Sequence, residues 1–245
     1  MKRLRMIMNK EKGQLIVALD VGTLEEAKKL VRSLDGLVDI FKVGSRLFTA
    51  HGPEAVRFLL REQKEVFLDL KFHDIPNTAA GAVAAAVHIN QGGRGIMMCT
   101  LHALGGLKML QAAAQAARKE AQITGVKRPL LVAITVLTSE AKKDNIPRFV
   151  LERAALAKQA GLDGVVASGQ EAALVRREFG KDFIIVTPGI RSKDSAVGDQ
   201  KRATTPSEAI ANGSDFLVVG RPIVNASDPA AAAKQILEEI RRARD

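Results

Sequence analysis

The chain has 245 residues, of which 47% are hydrophobic and 26% are charged, and no Pro/Gly/Ser-rich linker divides it. This length suits a closed α/β barrel, so we expect one domain over residues 14–245 behind a basic N-terminal extension at residues 1–13. The formal net charge is +10, but Trp and Tyr are absent, which leaves few rings for stacking on bases and argues against nucleic-acid binding.

Cysteine content and apolar run length bear on the compartment. Cys99 is the single cysteine, which excludes intrachain disulfides and multi-cysteine metal sites and fits a reducing compartment. The N-terminal sequence is basic but lacks the apolar stretch and cleavage site of a secretory signal. No apolar run approaches the roughly 20 residues that a membrane-spanning helix needs. We therefore expect a cytoplasmic protein that does not bind a membrane.

Short runs rich in Val, Ile and Leu alternate with helical stretches along the chain, in eight pairs. The runs are almost continuously apolar, as expected for strands covered on both faces. They are LIVAL (15–19), DIFKVG (39–44), EVFLDL (65–70), GIMMCTL (95–101), LLVAITV (130–136), GVVAS (164–168), FIIVT (183–187) and FLVVG (216–220). Eight consecutive strand–helix units predict an α/β fold, a single-domain (β/α)8 TIM barrel, with an open doubly wound sheet as the alternative.

Several predicted helices begin with capping signals that agree with this division of the chain. Capping-box spacing is found at three of them, two have proline at the probable first helical position, and the last has an aspartate cap. The residues are Thr23 with Glu26, Ser168 with Glu171, Thr205 with Glu208, Pro206, Pro229 and Asp228.

Charged residues stand at the ends of the second and third predicted strands, where a barrel of this kind carries its active site. They are Lys42, Asp69, Lys71 and Asp74. Because side chains alternate along a strand, Asp69 and Lys71 point to the same face. Lys42 lies in an otherwise buried strand and needs a carboxylate partner. The group is either a structural ion network or a working site, and its place at the strand ends favours a site.

Other strand ends carry weaker signals. Asp20 follows the first strand, where an aspartate is often a turn residue or a cap. His102 follows the fourth strand and has no second histidine at metal-ligand spacing, so we leave it out of the catalytic set. The fifth strand ends in TVLTS, where Thr138 and its neighbours offer hydroxyl groups to a base or a sugar.

The seventh and eighth strands end in TPGIR and VGRP, and each places a glycine beside an arginine. Glycine allows close approach of the backbone to a ligand, and arginine can donate bidentate hydrogen bonds to an oxyanion. The loops after these two strands often hold phosphate in such barrels. Gly189 with Arg191, and Gly220 with Arg221, therefore predict a phosphate clamp. The polar stretch 191–202, which contains Gln200, is a candidate lid.

Seven motifs in this order resemble the orotidine 5'-phosphate decarboxylases of bacteria. They are VALD (17–20), FKVG (41–44), FLDLKFHDIPNT (67–78), LHA (101–103), TVLTS (135–139), TPGIR (187–191) and VGRPI (219–223). The resemblance runs from Leu15 to Ala230, and DLKFHDIPNT is its most specific part. It implies conversion of orotidine 5'-monophosphate to uridine 5'-monophosphate and CO2, the last step of de novo pyrimidine nucleotide synthesis, without metal or cofactor.

The resemblance also implies a role for each matching residue. Lys71 would protonate C6, and Asp69, Lys42 and Asp74 would complete the charged array. The substrate would be bound by Asp20 and Lys42 at the ribose, Thr138 at the pyrimidine, and Gln200, Gly220, Arg221 and Arg191 at the phosphate, with Pro188 beside them. The family is a homodimer, in which Asp74, Ile75 and Thr78 would complete the site of the other subunit.

Two alternatives remain open at this level. Metal-dependent decarboxylases and synthases of sugar phosphates share the Asp-x-Lys-x-x-Asp pattern on the same barrel, but they place a magnesium-binding carboxylate on strand two, where this chain has Lys42. The second alternative is a barrel that binds a nucleotide or RNA without catalysis.

Overall fold

The computed structural model describes residues 13–136, 145–191 and 203–244. Within them, eight parallel strands pair in sequence order, and β1 closes the barrel by pairing with β8. The strands are β1 (Gln14–Ala18), β2 (Ile40–Gly44), β3 (Glu65–Phe72), β4 (Met98–His102), β5 (Leu130–Ile134), β6 (Gly164–Val166), β7 (Ile184–Thr187) and β8 (Phe216–Val219). The closed order confirms the predicted barrel and excludes the open sheet.

Helices follow the strands and cover the outside of the barrel. In the described ranges they are α1 (Leu24–Ser33), α2 (Ser45–His51), α3 (Glu54–Arg61), α4 (Pro76–Val87), α5 (Gly106–Thr124), α6 (Ile146–Gln159), α7 (Gly169–Phe179), α8 (Pro206–Ala211), α9 (Arg221–Val224) and α10 (Pro229–Arg242). None of these has the length and apolar character needed to cross a membrane.

The predicted caps are mostly confirmed. Complete capping boxes start α1 at Thr23 and α8 at Thr205, and the Asp228 carboxylate accepts the N–H of Ala231 at the start of α10. Prolines occupy the first turn of α8 and α10 as predicted.

The capping box predicted at Ser168 does not form. The Ser168 hydroxyl accepts the N–H of Gln170, which is the second residue of α7. It donates to the Glu171 carboxylate at 2.7 Å. Both side chains are buried, so the carboxylate turns to the nearby hydroxyl and does not reach back to the cap backbone.

Alternating side chains along the strands divide the core into two layers. Residues such as Ile16, Phe67 and Met98 fill the barrel interior. Their strand neighbours, such as Val17 and Leu68, pack outward against the helices. Both faces of each strand are therefore apolar, which explains the continuous Val/Ile/Leu runs in the sequence.

The fourth strand begins later than the sequence predicts. The prediction includes residues 95–97, but β4 starts at Met98, and an antiparallel hairpin pairs Asn90–Gln91 with Arg94–Gly95. Gly92 and Gly93 form its turn with φ of 57° and 75°. Positive φ at both central residues is what a type I′ hairpin turn requires, and glycine supplies it without strain.

Ion pairs hold the amino-terminal ends of the strands. Asp163 forms a bidentate ion pair with Arg128, with N–O distances of 2.6 and 2.9 Å, and accepts the N–H of Leu131. Asp215 is paired with Arg176 at 2.6 Å and accepts a backbone N–H of β7. These bonds tie neighbouring strands together at the end opposite to the candidate site.

Candidate active site

Four charged side chains form a chain of alternating sign at the carboxyl ends of β1, β2 and β3. Lys42 Nζ lies 3.1 Å from Asp20 Oδ1 and 3.5 Å from Asp69 Oδ2. Lys71 Nζ lies 2.9 Å from the same Asp69 oxygen. The carboxylate partner predicted for Lys42 is thus present twice. Asp20, which its sequence context alone indicates only weakly, is the first member of the chain.

Gly44 makes room for this pairing. A Cβ at Gly44 would stand 2.9 Å from Lys42 Nζ and 3.3 Å from Asp20 Oδ1. A larger residue would therefore displace the ammonium from its two carboxylates. The glycine of the FKVG motif is explained by this close approach.

The end of β3 is irregular and brings Asp69 and Lys71 to the site. Lys71 has a left-handed backbone with φ of 54°, a conformation that costs a residue with a Cβ about 1–2 kcal/mol. Its N–H donates to the Thr100 hydroxyl at 2.8 Å, and that hydroxyl donates to Asp69 Oδ1 at 3.0 Å. The predicted common face of Asp69 and Lys71 is confirmed, since both line the same cavity.

Asp69 is ionised although it is buried. Burial alone would raise the pKa of its carboxyl group. The ammonium groups of Lys42 and Lys71, with hydrogen bonds from Lys71 and Thr100, outweigh burial and hold the pKa of Asp69 below its ordinary value. At neutral pH the site therefore contains a fixed carboxylate between two ammonium groups.

Beside Lys71 lies a mainly apolar cavity of about 180 Å³. It is lined by Lys42, Phe67, Asp69, Lys71, Ile134, Val136, Val166, Ala167, Ser168, Val186, Pro188 and Val218. A flat ring would meet apolar walls here, with the charged chain at one edge. Sequence reasoning missed the walls from β6, because short apolar residues at a strand end carry no chemical signal.

A second, more polar cavity of about 130 Å³ adjoins the first and shares Lys42, Pro188 and Val218 with it. Its lining includes Asp20, Gly189, Arg191, Gly220 and Arg221. The two predicted glycine–arginine pairs therefore come together at one end of a continuous cleft, with Lys71 at the other end.

Arg191 has unused capacity to bind an anion. Its Nε atom is buried and makes no hydrogen bond to any of the described residues. Buried donors are normally paired, so an oxyanion in the adjacent cavity would satisfy this one. Arg221 lies across the same cavity, at the start of α9 directly after Gly220.

Asp74, Ile75 and Thr78 stand apart from the charged chain. They are exposed at the start of α4, and the Asp74 carboxylate accepts the N–H of the next residue, Ile75, at 2.6 Å. The Ile75 side chain is 67% exposed. Within the described part of the chain, this segment does not line either half of the cleft. Thr138 and Gln200 lie outside the described residues.

Known proteins are similar to this chain over nearly its whole length. Residues 13–236 match a single protein family. The chain belongs to the orotidine 5'-phosphate decarboxylase / HUMPS family. Relatives carrying the name orotidine 5'-phosphate decarboxylase are similar over nearly the whole chain. One from Moorella thermoacetica is 48% identical over 244 residues, with 96% of this chain and 95% of the relative covered.

Further members of the orotidine 5'-phosphate decarboxylase / HUMPS family support the match. A relative from Syntrophotalea carbinolica, also named orotidine 5'-phosphate decarboxylase, is 48% identical and covers 93% of this chain and 94% of its own. Among solved structures, the orotidine 5'-phosphate decarboxylase from Lactobacillus acidophilus superposes with a TM-score of 0.77 at 35% identity. That alignment covers 94% of this chain and 99% of the other.

Proposed function

We propose that the protein is a carboxy-lyase that converts orotidine 5'-monophosphate to uridine 5'-monophosphate and CO2, in the last step of de novo pyrimidine nucleotide synthesis. The observation that carries the proposal is the cleft formed by the two adjoining cavities, which has Arg191 and Arg221 at one end and Asp69 and Lys71 at the other. Asp20 and Lys42 lie between them and continue the charged chain. A nucleoside monophosphate has the matching order of groups, with a phosphate, a ribose and a base.

Each part of the cleft suits one part of this substrate. Arg191, Arg221 and the backbone at Gly220 bind the phosphate, and Gln200 joins them. Asp20 and Lys42, which line the middle of the cleft, bind the ribose hydroxyls. The pyrimidine ring enters the apolar cavity beside Pro188, and Thr138 hydrogen-bonds to the edge of the ring.

Lys71 supplies the proton in the proposed reaction. When the bond between C6 and the carboxylate breaks, CO2 leaves and the electron pair remains on C6. That carbanion cannot delocalise into the ring, so the uncatalysed barrier is very high. An ammonium already fixed beside C6 stabilises the developing charge and then donates its proton. Enzymes as a class lower barriers by up to roughly 23 kcal/mol, and we propose that electrostatic stabilisation by Lys71 is a main source of the lowering here.

Asp69 has two effects on this step. It fixes the Lys71 ammonium through the 2.9 Å ion pair. It also places a negative charge near the substrate carboxylate, which destabilises the ground state relative to a transition state that is losing CO2. We regard the first effect as the larger one, because electrostatic preorganisation usually contributes most to the lowering of an enzymatic barrier.

We propose that the reaction needs no metal. Lys42 supports this, because its ammonium lies between the carboxylates of Asp20 and Asp69. A divalent cation bound to those two carboxylates would be repelled by the ammonium. The sugar-phosphate enzymes that share the Asp-x-Lys-x-x-Asp pattern use a carboxylate at this place in strand two.

We also propose a homodimer with shared active sites. The exposed segment Asp74–Thr78 begins beside the charged chain but turns away from the cleft of its own subunit. An exposed isoleucine next to an aspartate suits a surface that is covered by a second copy, with Asp74, Ile75 and Thr78 reaching the partner's substrate.

The test is to follow the ultraviolet absorbance of orotidine 5'-monophosphate with purified protein, with and without excess chelator. We expect a decrease in substrate absorbance and formation of uridine 5'-monophosphate at the same rate in both samples. Loss of activity with chelator would contradict the metal-free site. An intact, folded protein that binds the nucleotide without turnover would support the binding-only alternative.

A further inference from the structure

Strands β3 and β4 lose their register at the charged chain. Leu68 is paired with Cys99, and Phe72 with Leu101, so residues 69–71 lie opposite the single residue Thr100. A bulge of this kind leaves backbone groups of the longer strand without ladder partners. Asp69 and Lys71 both lie within this bulged segment.

The Thr100 side chain fills the place of the missing ladder bonds. Its hydroxyl accepts the N–H of Lys71 at 2.8 Å and donates to Asp69 Oδ1 at 3.0 Å. Thr100 is fully buried, so water cannot replace either bond without a rearrangement of the strands. One oxygen atom therefore fixes both the backbone of Lys71 and the carboxylate orientation of Asp69.

The second oxygen of the Asp69 carboxylate is left for the lysines. Oδ1 is held by Thr100, and Oδ2 faces Lys71 Nζ at 2.9 Å and Lys42 Nζ at 3.5 Å. Rotation of the carboxylate would change both lysine distances at once. The Lys71 backbone, in its left-handed conformation, relaxes more easily if its N–H loses its acceptor.

We propose that Thr100 is a positioning residue for the decarboxylation, because its hydroxyl aims the Asp69 carboxylate and the Lys71 ammonium at the substrate. The inference rests on the proposed function. Thr100 does not line the cleft and acts only through its two neighbours. Substrate affinity should therefore depend on it weakly and the chemical step strongly.

The experiment compares T100V, which removes the hydroxyl at nearly constant volume, with T100S, which keeps it. We expect T100V to lower kcat by about 10-fold or more, since small displacements of reacting groups have effects of up to about 100-fold. KM should change by less than about 3-fold, and T100S should recover most of kcat.

A matched control is T187V. Thr187 is also a fully buried threonine of a barrel strand, and its hydroxyl is bonded to Ser214 at 2.6 Å. It lies next to Val186, which points into the interior, so Thr187 faces outward, away from the cleft. Both T187V and T100V remove a buried hydroxyl group, so both should lower the melting temperature. T187V should leave kcat of the folded protein unchanged.

The pH profile separates positioning from simple loss of stability. The Thr100 hydroxyl favours the ionised form of Asp69, so its removal raises the pKa of that carboxyl group. The acid limb of the pH profile of kcat should therefore move to higher pH in T100V and stay in place in T187V.

Three outcomes would overturn the inference. If the wild type decarboxylates the substrate and T100V has the same kcat, Thr100 has no part in the mechanism, and the proposed function still stands. If T100V does not fold, T100A is compared with T100S, and equal kcat values for those two would have the same meaning. A folded wild type without decarboxylase activity would overturn both proposals together.

Discussion

At the scale of single residues, Lys71 and Arg221 stand at opposite ends of the cleft and should affect different kinetic constants. In the proposed reaction Lys71 acts in the chemical step, whereas Arg221 binds a phosphate that is distant from the reacting carbon. An interaction made only in the transition state changes kcat, and one made equally in the ground state changes KM.

We therefore expect K71A to lower kcat by about 100-fold to 10,000-fold, the range typical of a general acid, with retained binding of uridine 5'-monophosphate. R221A should raise KM by about 10-fold or more, because a charge-assisted bond to phosphate is lost. Steady-state kinetics and calorimetric titration with the product measure both effects. An unchanged KM in R221A would remove that arginine from the phosphate site.

Cys99 is explained by its burial in the core. It is fully buried on β4, and burial raises the pKa of its thiol to about 12. The thiol therefore stays protonated at physiological pH and behaves as a small apolar side chain of the core.

At the scale of elements, apolar periodicity located every strand of the barrel, and cap residues located the starts of four of the described helices. These patterns are visible in the sequence because every strand–helix unit follows the same local preferences for apolar strand residues and for cap residues. The Asp69–Lys71 bulge could not be predicted, since a regular strand places the same two side chains on one face. The role of Thr100 was hidden for the same reason, although it lies two residues before His102 and points to the same face.

His102 is not among the predicted catalytic residues, and its surroundings give a structural account of it. Its Nδ1 accepts the N–H of Leu104 at 3.3 Å, and its ring stacks on that of His73 with centroids 5.1 Å apart. It packs the start of the turn that leads into α5.

The contact between β6 and β7 leads to a prediction at this scale. A Cβ at Gly164 would overlap the backbone carbonyl of Ile184, its partner on the neighbouring strand. G164A should lower the free energy of unfolding by about 1–3 kcal/mol, as overpacking does.

The same substitution in α4 provides the control. A Cβ at Gly81 would meet no atom within 4 Å, so G81A should raise stability by about 0.5–1 kcal/mol through helix propensity. Chemical denaturation of both variants measures the difference. Equal effects at the two positions would contradict the close approach of β6 and β7.

At the scale of the whole molecule, the main question is whether two copies share their sites. In the proposed dimer, each site takes Lys71 from one subunit and Asp74 from the other. The sequence alone could give this arrangement only through resemblance, because composition and periodicity carry no information about a partner's surface.

Mixing K71A with D74A subunits tests this arrangement. Each variant alone should be inactive, but in a mixed dimer one site carries both substitutions and the other carries neither. Random pairing should restore on the order of a quarter of the wild-type activity per site. Co-expression with two affinity tags isolates the mixed dimer for assay. No recovery in that dimer would place Lys71 and Asp74 in the site of the same subunit.

The pairing of β1 with β8 has a consequence for how the chain folds. Leu15 is in register with Leu217, and Arg244 donates to the carbonyl of Gly13 at 3.2 Å. During synthesis β1 leaves the ribosome first, and until β8 follows, one edge of it has no strand to pair with. Folding must then bring together segments about two hundred positions apart, at a large cost in loop entropy. A ribosome-bound chain that stops before Phe216 should therefore remain an open sheet, prone to aggregation and dependent on chaperones.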